Sequence, residues 1–469
     1  MPRHRRRPQS ARMRTPLFFD SQSWLVGLAV CTLVSFLLFG GGPNSAGLRV
    51  GIMLAMGAAC ILAFGSLGGL RRLRQLPLLE TLCWAALVAV PLLQLIPLPP
   101  GVWTSLPGRG TETQILTLAD QASAWLPITL NRAATLSALA MTLALGGILL
   151  AGITLPEKGV RHLLVAVVAC VALSFIIGAI QLSSSGRLLT FYPTSHKGLL
   201  LGFFSNRNHQ ALLIAISILV AGYLISTSRV PPRQRLALFG FYAFVALAGA
   251  FGTASRMGLA LCIAASFAAP FLFLGANMAR KTYLVAGGGG LVVVLGGLAT
   301  LSGTAGRALD RYGDVGGDYR WTIWERSIDL IGDYFPFGTG LGSFSDVYQK
   351  YERLEWLLPN YVNDAHNDYI QLVIEAGVPG LILLLLVLAV LVRAAMFAVS
   401  KDDIRRPDQA GLAKLGIAII LLILAHSVVD YPLRRPAIAV VFTFALALIF
   451  RQYRRNGTGP HKVPDPTMA

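Results

Sequence analysis

The chain has 469 residues, 55% of them hydrophobic and 13% charged, and carries a formal net charge of +18. So apolar a composition excludes a soluble globular fold, which covers its surface with about twice that share of charge. The excess of Lys and Arg does not indicate a nucleic-acid binder either, because the basic residues are spread over the segments between apolar runs instead of gathering on one face.

Apolar runs long enough to cross a bilayer recur along the whole sequence. A crossing helix needs roughly 20 apolar residues, and backbone amides in lipid must find their partners within the helix. In chain order the runs are 24–40, 47–67, 78–97, 133–153, 162–181, 209–227, 236–253, 257–276, 282–301, 369–396, 411–430 and 433–451. The expected architecture is an all-α polytopic integral membrane protein with about 12 transmembrane helices and a long periplasmic loop between helices 9 and 10. Its expected organisation is a basic cytoplasmic tail (1–23), transmembrane helices 1–9 (24–301), a periplasmic loop (302–368), transmembrane helices 10–12 (369–451) and a cytoplasmic tail (452–469).

Orientation follows from the positive-inside bias. With the N-terminus inside, every cytoplasmic segment is basic: Arg3 to Arg14, Arg71/Arg72/Arg74, Lys158/Arg161, Arg229/Arg233/Arg235, Arg280/Lys281, Arg393 to Lys414 and Arg451 to Lys462. The short opposite connections at 41–46 and 253–256 are almost uncharged. Both termini are therefore expected in the cytoplasm. The stretch Arg3–Arg14 precedes an apolar run without a small-residue cleavage site, which reads as an uncleaved anchor and not as a removed signal peptide. Cys31, Cys60, Cys83, Cys170 and Cys262 lie in or at the ends of apolar runs without CxxC spacing, so they read as packing residues and not as a zinc site or disulfide framework.

Three segments on the outer side are longer than a turn needs: 98–132, 182–208 and 302–368. The last alternates charge with aromatics: Arg307, Arg311, Asp314, Asp318, Arg320, Trp321, Trp324, Glu325, Arg326, then Tyr348, Tyr351 and Trp356. Within it RWTIWERSIDLIGD, 320–333, has the spacing of a short amphipathic helix lying on the membrane face, where its tryptophans suit headgroup depth. The glycine-rich PFGTGLGSF at 336–344 lacks the Lys-Ser/Thr of a P-loop.

The loop ends in AHNDYIQLVIEAGVPG, 365–380, where Asn363 or Asp364 is expected to cap a helix that enters the membrane. His366 would then lie in its first turn, where the positive end of the helix disfavours imidazolium and leaves a ring able to accept a proton. Asn367, Gln371 and Glu375 fall at i, i+4 and i+8, a polar stripe that descends about 12 Å at 1.5 Å per residue. A carboxylate in such a helix faces a partner or a wet interior and not lipid. Arg256 in GTASRMG and Arg207 in SNRNHQ sit at outer span ends, against the positive-inside trend; each could snorkel to headgroups, and together they suggest an anion site. In HSVVDYPLRRP, 426–436, His426 and Asp430 share a helical face at i, i+4, and Arg434 and Arg435 border the same region.

These pieces, in this order, resemble the O-antigen ligase and O-antigen/exopolysaccharide polymerase superfamily, the bacterial lipid-linked-glycan transferases. The residues that carry the resemblance are SNRNHQA at 205–211, the Ser-Arg of GTASRMG, the RWTIWERSIDLI and PFGTGLGSF segments, AHNDYIQLVIEAGVPG and HSVVDYPLR, so it spans roughly 200–440 and leaves the first half matched in hydropathy alone. It implies an inverting, metal-independent transfer of saccharide from undecaprenyl diphosphate to an acceptor hydroxyl, with no cofactor. It implies that His366 is the catalytic base and that Arg256 and Arg320 bind the diphosphate, with Arg207 and Arg326 as secondary candidates and Asn367, Gln371, Glu375, His426 and Asp430 in support. The implied partners are an undecaprenyl-diphosphate-linked glycan donor, a glycan or lipid-glycan acceptor, membrane lipid and envelope polysaccharide assembly proteins. The HSVVDYPLR ending favours a polymerase over a ligase; sugar and acceptor are unreadable. The competing expectation is a transporter or flippase of lipid-linked saccharides, which needs a central path reachable from both sides.

Overall fold

The computed structural model describes residues 21–43, 47–66, 76–275, 320–352, 362–399 and 407–453. The expected span 282–301, Arg71/Arg72/Arg74, Arg280/Lys281, Arg307, Arg311, Asp314, Asp318, Trp356 and both tails beyond residues 21 and 453 lie outside these residues. Among the described residues the fold is all-helical, and the one backbone bridge is an isolated pairing of Leu98 with Leu126.

Among the described residues, ten helices are long and apolar enough to cross a membrane. They are α1 (Ser21–Phe39), α2 (Gly47–Ser66), α3 (Leu78–Leu95), α6 (Arg132–Thr154), α7 (Glu157–Ser183), α8 (Arg207–Ser226), α9 (Pro232–Gly252), α10 (Arg256–Ala269, continued by a π turn over Pro270–Leu274), α13 (Asp368–Val399) and α14 (Pro407–Ser427). A shorter apolar helix, α15 (Pro436–Phe450), packs against α14, α6 and α1. Each corresponds to an expected span to within a few residues. The eleventh and twelfth differ most usefully: α14 stops at Ser427 and α15 starts at Pro436, so 428–435 is a connection with a 3-10 turn at Pro432–Arg434.

Close approach sets the packing. Gly57 meets Ala144 of α6, Gly222 meets Ala269 of α10, and Gly416 meets the Ala445 carbonyl of α15, each too near for a side chain. In membranes, where lipid is as apolar as leucine, such small-residue contacts provide much of the helix–helix affinity. Most central is α8, walled by α7, α9, α10 and α14, with His209 to Gly222 continuously buried.

Small elements cap one end of the bundle: α4 (Pro100–Trp103), α5 (Gly110–Leu118), α11 (Arg320–Tyr334), α12 (Phe344–Tyr348) and the starts of α8, α10 and α13. The amphipathic helix expected over 320–333 is α11, with Ile323, Ser327, Leu330 and Tyr334 buried and Trp321 and Ile328 exposed.

The glycine-rich segment that follows α11 has a structural task. Pro379 lacks an N–H, so it deprives the Glu375 carbonyl of its helical donor, and the helix bends at Gly377. Gly340 N and Gln94 Nε2 donate to that carbonyl at 2.9 and 2.8 Å, Thr339 N donates to the Ile374 carbonyl, and Val378 N donates to Pro336. Gly377 has φ +53° and ψ −136°, and a Cβ there would stand 2.0 Å from the Pro336 carbonyl oxygen. Gly377→Ala is therefore expected to destabilise the protein by more than the roughly 1–3 kcal/mol of such a backbone alone. Thermal unfolding in detergent checks this, with Gly27→Ala, which meets nothing within 4 Å, as the neutral control.

Candidate active site

Three segments far apart in sequence converge at the capped end: the start of α8, the approach to α13 and the 428–435 connection. Asn206 caps α8, its side chain accepting from Asn208 N. That cap aims the next turn inward, and His209 and Gln210 are fully buried.

The approach to α13 differs from expectation. Asn367, not Asn363 or Asp364, caps the helix, its Oδ1 accepting from Tyr369 N and Ile370 N. Asp364 is otherwise engaged, accepting from Arg435 Nη2 at 2.7 Å and from Gln371 Nε2 at 3.2 Å. His366 consequently lies before the helix and not in its first turn, with φ +51°, a left-handed conformation uncommon outside glycine, though Asn, Asp and His adopt it more readily than other residues. The preceding residue is held at both ends: Trp324 Nε1 donates to the Ala365 carbonyl and Ala365 N donates to Gln371 Oε1, both at 2.9 Å. One of these braces comes from α11 and the other from α13. The Asn367 amide also donates to the Val428 carbonyl.

At the centre is Asp430, fully buried in the connection. Its Oδ1 lies 3.4 Å from His366 Nδ1 and 3.8 Å from His209 Nε2, and its Oδ2 lies 3.9 Å from His426 Nε2. Asn208 Nδ2 donates to Oδ2 at 2.7 Å. The expectation that His426 and Asp430 share a helical face is thus corrected: α14 ends between them, and the carboxylate faces three imidazoles. Tyr431 packs edge-on against His366 and His209, with ring centroids 4.8 and 5.1 Å apart.

Burial alone would raise the Asp430 carboxyl, but the neighbouring imidazoles, His209 foremost, outweigh it and hold the group well below the usual carboxylate range. An ionised Asp430 facing His366 Nδ1 favours the tautomer with its proton on Nδ1, which leaves Nε2 as the acceptor. At 3.4 Å the contact is longer than a formed hydrogen bond, within the looseness that such pairs show before substrate tightens them. Of the three histidines, His366 alone is accessible, with 27% of its side chain exposed against 0% for His209 and 1% for His426.

The basic residues divide into two groups. Arg320, at the start of α11, lies within electrostatic reach of His426. Arg207, half-buried, opens α8 two residues before His209. Arg256 is exposed at the first position of α10, after the Ser255 cap, and α10 packs on α8 where Gly258 meets Ala211. Arg326 pairs with Asp329 at 3.2 Å on the surface of α11. Arg434 and Arg435 belong to a separate network: Arg434 pairs with Glu375 and Asp368, and Arg435 with Asp364. Glu375 and Gln371 of the polar stripe are buried in that network, so Glu375 ties α13 to the 428–435 connection. Among the described residues, no group of His, Cys, Asp and Glu is arranged to hold a metal ion.

His209, Trp324, Asp364, Asp368 and Tyr431 were not among the expected site residues. For His209 the signal was present, since it stands beside Arg207 in SNRNHQ; what spacing could not reveal was its approach to a carboxylate 221 positions later.

Residues 241–385 match the family model described as O-antigen ligase. This bears out the resemblance to the O-antigen ligase and polymerase superfamily and supports a glycosyltransferase-like membrane activity on lipid-linked glycans in general. The matched segment contains Arg256, Arg320, His366 and the α13 polar stripe. No curated protein matches the chain.

Proposed function

We propose that this membrane protein, O-antigen ligase-like over residues 241–385, transfers or polymerises saccharide from undecaprenyl diphosphate onto an acceptor hydroxyl at the capped end of its bundle. The observation that carries the reading is a partly exposed imidazole, His366, whose Nδ1 faces the buried Asp430 carboxylate at 3.4 Å. His366 Nε2 takes the acceptor hydroxyl proton as the oxygen bonds to the anomeric carbon. The bond from that carbon to the diphosphate oxygen breaks on the opposite face, and the diphosphate leaves with the electron pair. Asp430 orients the ring and stabilises the imidazolium that forms. Arg320 and Arg256, with Arg207 and Arg326 as secondary candidates, meet the charge that grows on the leaving diphosphate.

The distribution of basic residues supports an orientation in the bacterial inner membrane with this end in the periplasm. Lys158, Arg161, Arg229, Arg233 and Arg235 flank the opposite ends of α7, α8 and α9, as expected for the cytoplasmic side. Polymerisation is favoured over ligation by the HSVVDYPLR segment, which here supplies Asp430.

The test is transfer by the purified full-length chain from an undecaprenyl-diphosphate oligosaccharide. Wild type is expected to extend the acceptor, with a ladder of products marking a polymerase and a single addition a ligase. Arg320→Ala is expected to reduce the rate by about 10²–10³-fold, the usual loss when one charge-stabilising donor is removed. Absence of product together with movement of labelled lipid-linked saccharide across liposomes would replace the enzyme with a transporter.

A further inference from the structure

Between α7 and α8, at the capped end of the bundle, an irregular segment is fastened to the ends of three membrane-spanning helices. From the last turn of α7, Gln181 Nε2 donates to the Leu189 carbonyl at 2.7 Å. From the first turn of α2, Arg49 Nη2 donates to the Phe191 carbonyl at 3.2 Å. Tyr192 Oη donates to the carbonyl of Phe39, the last residue of α1, at 2.7 Å. Crossing helices end near the limit of the hydrocarbon, so these bonds hold residues 189–192 at the depth of the lipid headgroups.

The segment presents apolar side chains at that depth: Leu188, Leu189 and Phe191 are 57%, 46% and 39% exposed. Leu189 has φ +55°, unfavourable for a leucine, and the Gln181 bond holds it there, so its exposure is imposed by the fold. The charge beside these side chains is of one sign. Arg187 and Lys197 are exposed, and a Cβ at Gly186 would stand 3.2 Å from the Lys197 Cβ, which brings the two cations to one turn. Arg49 adds a third, its guanidinium 4.6 Å from the centre of the Tyr192 ring.

No Asp or Glu occurs between Asp20 and Glu80 or between Glu157 and Asp310. None of the ion pairs among the described residues includes Arg49, Arg187 or Lys197. Cations at this end of the bundle run against the positive-inside trend, and with no carboxylate paired to them their counter-charge comes from outside the chain. Exposed Leu and Phe at headgroup depth, flanked by Arg and Lys, match the layers of an anionic lipid surface. A soluble anionic glycan would answer the charge but leave the apolar side chains in water.

We propose that residues 187–197 form a docking surface for anionic phospholipid heads of the leaflet at the capped end. Leu188, Leu189 and Phe191 lie against the glycerol and upper acyl carbons, and Arg187 and Lys197 meet the phosphates. The surface contains none of the residues placed in the transfer site, and lipid contact is measured without turnover, so it does not depend on the transfer reading.

The experiment uses the full-length chain in nanodiscs of equimolar phosphatidylglycerol and phosphatidylcholine with matched acyl chains. The photo-crosslinker benzoylphenylalanine replaces Leu188, and its adducts are identified by mass spectrometry. Lipid adducts are expected, with phosphatidylglycerol preferred by about tenfold, which corresponds to about 1.4 kcal/mol. Arg187→Gln combined with Lys197→Gln, both at exposed positions, is expected to erase the preference at unchanged thermal stability. Arg233→Gln, exposed at the opposite end of the bundle, is expected to leave it intact. Absence of lipid adducts, equal capture of the two lipids before the basic residues are changed, a preference that survives the double substitution, or displacement of the lipid by a soluble anionic glycan would each overturn the assignment, the last by giving the surface to the glycan.

Discussion

His366→Asn is expected to lose transfer by about 10²–10⁴-fold, the range that a positioned general base contributes, while the protein still folds. Asparagine is the informative replacement because it tolerates the left-handed backbone at φ +51°, so the loss reports the imidazole and not the turn. With 27% of its side chain exposed, His366 can be truncated without opening a buried cavity, and Asp430 keeps Asn208 and Tyr431 N as donors. The measurement is single-turnover transfer beside thermal unfolding in the same detergent. Retained transfer at equal folding would remove His366 from the mechanism, and a collapse of folding would give it a structural task instead.

Asp430→Asn is expected to lose both activity and stability. The amide keeps the size but gives up the charge that orients His366, and removing an orienting carboxylate has cost about 10⁴ in rate where a triad depends on it. It also presents an N–H₂ group where Asn208 Nδ2 donates at 2.7 Å, and a buried donor left unsatisfied costs roughly 1–3 kcal/mol. A pH signature separates the charge from the packing. The folded-state value of Asp430 lies well below the unfolded value of roughly 3.9, so its contribution is whole above that value and is lost as pH falls through the lower folded one. Acid unfolding of wild type should therefore steepen below about pH 4, and in Asp430→Asn that part of the slope should disappear. An unchanged acid limb would mean that the carboxylate is not held ionised by its histidines.

Part of this site was legible in the sequence, and particular residues show how far. His366 is marked as a candidate by its place before a polar stripe in an otherwise apolar run. The start of its helix was misjudged because Asn363, Asp364 and Asn367 are all competent caps. The choice fell to Asn367 when Arg435, 71 positions away, engaged Asp364. Glu375 was correctly read as needing a partner, but Arg434 could not be named as that partner from spacing. The pairing of His426 with Asp430 was visible at i, i+4, yet the three-imidazole arrangement was not, since His209 and His366 come from other segments.

The sequence by itself determined the membrane-spanning helices and their approximate limits, because lipid offers no partners to a backbone and forces each long apolar run to satisfy its amides internally. It also determined the amphipathic helix over 320–333, which the structure extends to Tyr334, through a period local to one element. Only the tertiary structure decided which polar groups meet: Asp430 with three histidines, Glu375 with Arg434, and the Gly340 amide with the carbonyl orphaned by Pro379. Periodicity records which face of a helix is polar. The partner of that face is fixed by the packing of helices far apart in the chain, and no local spacing carries it.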